Sequence, residues 1–407
     1  MANKKIFKFP FNLSLVRDFN LKNPKDWATF NLGYKTKSGT GIDSDTALSL
    51  SAVWSAVRLL SQTLAQVPLS VYRRLPNGGK EIANNHPINR LIHSEPNRIQ
   101  TSFLFRELGQ QHLELRGNFY AYINRDIKER PTELTILNPD DVTPVAEDGD
   151  VFYKVNNIEA LKEPVPSRNI LHVCGPMGNG LKGSSPIAIH RENLGLAMAA
   201  QDYGATFFGN GANVDGILTT DANLKPEQRK AVTDSWKSRH GGLSNSHSTA
   251  VLEAGLKYQR ITIAPDEAQF IQSRKFQTTE IARIFGVAPH LIADLERSTN
   301  NNIEQQSLEF IKFTMLSRFK RWENELDKKL FREDEKGEYF VKFNLDGLQR
   351  GDAKTRSEFY SKMLQNGVMN INEVRNLENL NAIVGGDKHF VQLNLTPIDQ
   401  LGEDNGN

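Results

Sequence analysis

Three places in this chain of 407 residues could do chemistry: a glycine-rich turn, a histidine beside the single cysteine, and a pair of polar segments built to bind. Gly178, Gly180 and Gly183 spell G-x-G-x-x-G after an apolar run and before a helical one. In that setting backbone N–H groups can cradle a dinucleotide pyrophosphate. The reading also needs an acidic residue at the end of a second strand, about 20 residues on, to hold a ribose. At that distance stands Asp202, inside a stretch that continues the helical pattern, so a sharp turn accounts for the glycines better. His172 and Cys174 fall on one face of an apolar strand, the spacing of a thiolate–imidazole pair, yet such a strand more often holds an inert buried cysteine.

Other reactive arrangements are missing from the sequence. The nine histidines include no H-E-x-x-H pair and no His/Cys set, so no metal is expected. There is no G-x-S-x-G elbow and no G-x-x-x-x-G-K-[ST] loop. Asp140 and Asp141 sit in a turn, where carboxylates cap backbone groups. The expectation is a protein that is not an enzyme and needs no cofactor.

Two segments are better suited to binding. Lys225, Arg229, Lys230, Lys237, Arg239 and His240 are opposed on their helical stretch only by Glu227 and Asp234. That basic face is either simply solvated or a docking surface. Asp294 to Asn302, with Glu296, Arg297, Ser298, Thr299, Asn300, Asn301 and Asn302, is strongly polar, and three consecutive asparagines do not belong inside a helix.

The elements that must carry these residues read as an α+β chain. Ala47 to Gln66 places Leu50, Val53, Trp54, Val57, Leu60 and Leu64 at helical spacing, and Pro68 stops it. A hairpin follows, turned by Pro76 to Gly79. A helix from about Thr101 to Leu115 ends at Gly117, and strands are expected over Phe119–Asn124, Glu133–Leu137, Val151–Val155 and Ile170–Val173. Ser185 and Pro186 open a helix to about Phe208, whose Gly195, Ala197, Ala199, Ala200, Gly204 and Ala205 permit close approach of a neighbour. Val214 to Ile263 reads as a small α/β insertion: strand Gly216–Thr219, helix Lys225–Arg239, then strands Thr249–Glu253 and Lys257–Ile263. Asp266 with Gln269 caps a helix to Phe285, and a long helix of about 40 Å spans Ile303 to Phe331. Tyr339 to Leu345 is a strand, Asp352 to Gln365 a helix, and Asn370 with Glu373 caps a last short helix to about Leu380.

Composition narrows the class. Fifty Lys plus Arg against 48 Asp plus Glu leave a net charge of +2, which excludes a polybasic nucleic-acid clamp. With 38% hydrophobic and 24% charged residues the chain is ordered, and its length suits two or three domains. One cysteine excludes an internal disulfide. No window nears the roughly 18 apolar residues of a spanning helix, and Met1 to Val16 is broken by Lys8, Pro10 and Asn12. An intracellular soluble protein without a secretory signal is expected.

Several strings, in order, resemble the phage portal family of the Hong Kong 97 type. They are Ala52 to Tyr72 (AVWSAVRLLSQTLAQVPLSVY), His86 to Ile92 (HPINRLI), Gly117 to Tyr122 (GNFYAY), Leu137 to Val142 (LNPDDV) and Gly183 to Ile187 (GSSPI). Further along stand Ala268 to His290 (AQFIQSRKFQTTEIARIFGVAPH), Arg297 to Leu308 (RSTNNNIEQQSL) and Asn372 to Leu380 (NEVRNLENL). The resemblance runs from about residue 45 to 395, and its specificity lies in the order and spacing of the strings.

The resemblance implies a ring, typically dodecameric, at one vertex of the virion capsid, assembled in the host cytoplasm. It would be the channel for packaging and ejecting double-stranded DNA and would nucleate procapsid assembly. Its implied partners are copies of itself, DNA in transit, the terminase large subunit, a head-completion or adaptor protein, and the major capsid and scaffolding proteins, with no membrane. Laid on this chain, the family's parts are an N-terminal arm (1–44), the first part of the wing (45–183), a first stem helix (184–213), a clip (214–264) and a second stem helix (265–290). A tunnel loop (291–302), a long helix returning to the wing (303–350), a crown (351–395) and a flexible tail (396–407) complete it. Glu296 to Asn302 would then face DNA, and Arg229, Lys230, Lys237 and Arg239 would meet the terminase or adaptor. Two other classes stay open: a nucleotide-dependent enzyme built on Gly178 to Gly183, which a thermal-shift screen with nucleotides would expose, and a monomeric nucleic-acid-binding adaptor, which predicts steeply salt-dependent affinity.

Overall fold

The computed structural model describes residues 36–76, 78–209, 216–221, 223–240, 255–260, 267–292, 308–345, 353–378 and 380–390. A 3₁₀ turn at Thr46–Ser49 leads into α1 (Ser51–Gln66), so the helix expected from Ala47 is divided at Leu50, whose extended backbone (ψ 115°) resets the axis. Val53, Val57, Leu60 and Leu64 form its buried stripe, whereas Trp54, one residue round, is 53% exposed. β1 (Leu69–Arg74) and β2 (Lys80–Ile82) make the expected hairpin. α2 (Pro87–His93) opens on Pro87 with the His86 side chain accepting from the Ile88 N–H. Thr101 caps α3 (Ser102–Arg116), and Gly117 ends it at φ 74°, the left-handed conformation that glycine adopts freely.

Next come β3 (Asn118–Arg125), β4 (Pro131–Leu137), β5 (Val142–Glu147), β6 (Asp150–Val155), β7 (Val165–Pro166) and β8 (Ile170–Cys174). They form two antiparallel sheets, ordered β4–β3–β8 and β5–β6–β7. β5 was not expected: Pro144 interrupts its pattern, and it is tolerated because β5 is an edge strand. The central strand β3 is buried on both faces. Phe119, Ala121 and Ile123 point into the main core, while Tyr120 packs with Leu137, Ile170, Val142 and Tyr153 in a second core between the sheets.

The helix expected from Ser185 to Phe208 is two helices, α4 (Pro186–Ile189) and α5 (Arg191–Gly209), broken at His190. Ile187 of α4 is buried and the Ser185 hydroxyl donates to Leu115 O, so α4 is tied to the end of α3, while α5 departs to another partner. β9 (Gly216–Thr219), α6 (Pro226–His240) and β10 (Lys257–Arg260) follow, the two strands pairing antiparallel. The expected strand Thr249–Glu253 lies outside the described residues, as does the cap at Asp266. α7 (Glu267–Phe285) ends at Gly286, φ 65°.

The long helix is described from Leu308. It is not uniform: Phe310–Met315 is a π-helical turn before α8 (Leu316–Leu330). Phe319, Trp322, Leu326 and Leu330 of α8 fill the main core. β11 (Tyr339–Phe343) pairs with β1, Leu69 opposite Phe343 and Val71 opposite Val341. α9 (Ala353–Gln365) and α10 (Ile371–Leu377) are the last helices of the described chain, α10 with the expected reciprocal cap of Asn370 and Glu373.

β11 is an edge strand, and α8 covers its free side. Asp327 Oδ1 accepts the Val341 N–H at 2.6 Å, and Glu323 Oε1 accepts the Phe343 N–H at 2.9 Å, one helical turn matching two strand residues. Burial pushes the Asp327 carboxyl up to about 6, helped by the Glu323 carboxylate and opposed by the Val341 N–H. The folded chain therefore holds this proton more tightly than the unfolded chain. Its stabilising contribution is complete below about pH 4 and is lost as pH rises through about 6. Asp327→Asn, which keeps the acceptor, should remove that segment of the pH dependence of urea-unfolding midpoints; an unchanged profile would show that another group carries it.

Candidate functional site

The glycine-rich turn is explained by its own backbone. Gly183 lies directly on the Gly117 carbonyl and Gly175, where an added Cβ would stand 2.6 Å from Gly175 N. Gly178 lies as close to the Lys182 carbonyl. Asn118 clasps the turn from β3: its Oδ1 accepts the Gly183 N–H at 2.7 Å and its Nδ2 donates to Gly183 O at 2.8 Å. The Gly183 N–H that a phosphate would use is thus already satisfied. Gly183 thus serves the close packing of β3, β8 and α4, Gly178 the closing of the turn on Lys182, and Gly180 its φ of 86°.

The same Asn118 oxygen lies 3.1 Å from His172 Nε2, whose Nδ1 is 3.0 Å from the Tyr153 hydroxyl. Cys174 Sγ is 3.2 Å from Nε2, so the expected juxtaposition exists. Its protonation is wrong for a thiolate pair. Burial first, and the cations Lys329, Lys182 and Lys328 second, bring the imidazole down to about 3, and burial raises the thiol. Neutral imidazole and intact thiol serve as parts of a packed polar core. Among the described residues, no three His, Cys, Asp or Glu side chains are grouped to hold a metal ion.

The binding segments fare differently. Lys225, Arg229 and Lys230 are exposed at the start of α6, a helix tethered through Trp236, which stacks on Tyr258 of β10 at 5.4 Å. Lys237 and Arg239 belong to the same helix. The loop Glu296 to Asn302 lies outside the described residues, which stop at Ile292 and resume at Leu308. Thr314 Oγ1 donates to Gly286 O at 2.6 Å, and Arg318 donates to Phe285 O at 3.2 Å and Thr314 O at 2.7 Å. Arg318 is held in turn by both oxygens of Glu114 (2.6 and 3.1 Å), and Glu114 by Gln110, which accepts from Trp322 Nε1 at 2.9 Å. Phe285 and Gly286 at the end of α7 are therefore pinned to Thr314 and Arg318, and all of them to α3. Hydrophobic spacing passes over this clamp because Arg318 and Glu114 are two polar residues among many on amphipathic helices.

α5 and α7 run side by side, antiparallel. Gly204 admits the Phe270 ring, where a Cβ would stand 2.7 Å away; Asn193 donates to Glu280 at 3.3 Å and Gln277 to Leu196 O at 3.5 Å. Gly204 thus allows the close approach of a neighbouring helix, while Gly195 lies instead against the Thr36 side chain.

A family model described as Phage portal protein matches residues 51–379. The probable portal protein of Streptomyces phage phiC31 is 35% identical, over 93% of this chain and 86% of that protein. The portal protein of Enterobacteria phage HK97 is 34% identical, over 89% and 86%. The crystal structure of an HK97 family phage portal protein from Corynebacterium diphtheriae covers 76% of this chain and 96% of its own, at TM-score 0.58 and 19% identity. A chain from the neck of a native gene transfer agent particle, computed with C12 symmetry, covers 83% and 92%, at TM-score 0.55 and 22% identity. The α+β fold is thus shared with proteins of particle necks, and the chain belongs to the phage portal protein family.

Proposed function

We propose that this chain is the repeating subunit of a homo-oligomeric ring, a dodecamer, at one capsid vertex of a virion, where it passes double-stranded DNA during packaging and ejection. The observation that carries this is the family match from residue 51 to 379, and a fold likeness to a neck component of twelvefold symmetry supports it. The role is structural and non-catalytic. The wing is 45–183 with the return at 303–350, the stem pair 184–213 and 265–290, the clip 214–264 and the crown 351–395. The clip meets the terminase and adaptor through Arg229, Lys230, Lys237 and Arg239, and Glu296 to Asn302 faces DNA as the tunnel loop.

Charge favours this reading. A ring multiplies each side chain by its subunit number, and counterion release makes affinity grow with every phosphate neutralised. A conduit must avoid that grip. One arginine beside one glutamate and five neutral polar residues per loop, on a chain of net charge +2, suits sliding contact.

Native mass measurement and electron microscopy of the purified protein test the reading: rings with a central opening are expected, and a monomer under all conditions overturns it. With rings in hand, Arg297→Glu should leave the assembly intact and reduce DNA packaged by several-fold; normal filling would remove the loop from DNA contact. Charge reversal at Lys230 and Lys237 should weaken terminase or adaptor binding, and unchanged binding would return that face to solvent.

A further inference from the structure

α9 and α10 have 13 and 7 residues, and helices shorter than about 12–15 residues are marginal in water unless an apolar face is packed. Here that packing is thin. Among the described residues of 353–390, no apolar side chain is buried. The contacts that hold this part together are polar: Glu378 accepts from the Tyr360 hydroxyl at 2.6 Å and pairs with Arg356 at 3.3 Å, and the buried Asn372 clasps the Ile383 backbone and Asp387 Oδ1. The face of α9 beside that contact is apolar. Phe359, about 100° round the helix from Tyr360, is 41% exposed and stands one turn before Met363. α9 is ended by Gly367 at φ 66°, and the Val368 N–H turns back onto Met363 O at 3.0 Å, an ending that sets the residue after the glycine over the last helical turn. Val368, 62% exposed, therefore extends the line to Phe359, Met363 and Val368.

The chain itself is led to the end of that line. His389 Nδ1 donates to Gly367 O at 3.1 Å, and its Nε2 accepts from Asn370 Nδ2 at 3.5 Å, so Phe390 leaves from beside Val368. The next residues, Val391, Gln392, Leu393, Asn394 and Leu395, alternate apolar and polar. In extended backbone Val391, Leu393 and Leu395 share one face at steps of about 6.6–6.8 Å. The line on α9 has steps of about 6 Å, four residues at 1.5 Å each. Three apolar side chains thus meet three, and a segment tethered at one end of its site is present there at high effective concentration. We infer that residues 391–395 lie extended along α9 of the same chain, from Val368 toward Phe359, and supply the apolar cover that α9 lacks.

Hydrogen exchange and cross-linking test this. Ending the chain after Phe390, or combining Leu393→Asp with Leu395→Asp, should accelerate amide exchange at Phe359–Leu364 several-fold and leave β3 unchanged. Unchanged exchange in α9, or equal acceleration in β3, overturns the docking. In a Cys174→Ala background, a full-length chain with Met363→Cys and Leu393→Cys should be bridged within itself by a short bis-maleimide, giving a monomer on a denaturing gel whose mass carries one linker closed at both ends. The same two substitutions on separate, co-expressed chains should give almost no covalent dimer. Abundant mixed dimers would assign the cover to a second copy and overturn docking within the chain. Neither readout requires a ring, so the portal reading stands or falls apart from this one.

Discussion

Gly183→Ala should destabilise the subunit by more than about 3 kcal/mol, as strain at a special backbone site does. The new methyl group would meet only backbone, the Gly117 carbonyl and the Gly175 N and Cα, and no flexible side chain could swing aside. Three elements converge there: Gly117 ends α3, Gly175 follows β8, and Gly183 precedes α4. Moving any of them also pulls Asn118 off His172 and Gly183. Gly180→Ala, in the same turn, has no heavy atom within 4 Å of its added Cβ and only its φ of 86° to strain, so it should cost about 1–2 kcal/mol. Urea-unfolding midpoints of the two variants decide it. Equal effects would mean that the turn, and not the three-way backbone contact, is the sensitive feature.

Glu114→Ala should cost about 3–5 kcal/mol, the usual penalty for removing one partner of a buried ion pair. Glu114 is only 8% exposed and Arg318 15%, so the guanidinium cannot turn to water once its carboxylate is gone. Gln110 loses its acceptor as well, and with it the orientation that lets it accept from Trp322. Glu114→Gln keeps the shape and one acceptor, so it should lose roughly half as much. The second readout is local. With Arg318 released, hydrogen exchange at Gly286 to Ile292 and Leu308 to Phe313 should accelerate more than exchange in β3. Uniform acceleration would mean that Arg318 serves the core as a whole and not the base of the loop.

Much of the fold was legible because local signals agreed with tertiary ones. The Thr101 and Gly117 caps, the Asn370–Glu373 box and the stripe of α8 each bring together propensity, capping and burial. What was missed has physical causes. β5 hid behind Pro144, which is acceptable only because that strand is an edge. The break at His190 carries no Gly or Pro of its own; it arises because α4 is tied to α3 while α5 is drawn to α7. The π turn at Phe310–Met315 follows a register that no spacing rule reports. At the candidate site, composition points to Arg229 and Lys230, which are exposed on α6, and to the Glu296–Asn302 loop, which lies outside the described residues. The clamp of Glu114, Thr314 and Arg318 joins residues 204 positions apart and leaves no mark in any window of sequence.

The pairing of β1 with β11 sets an order on synthesis. Leu69 finds its partner Phe343 only after 274 further residues have left the ribosome. Until then β1 has only the three-residue β2 beside it, and its other edge, with Leu69 and Val71, is open to any strand that passes. Trp322, which Gly109 and Phe119 await, arrives in the same late stretch. The nascent chain is thus an incomplete core for most of its translation, and a chain that stalls before residue 343 should aggregate rather than join an assembly.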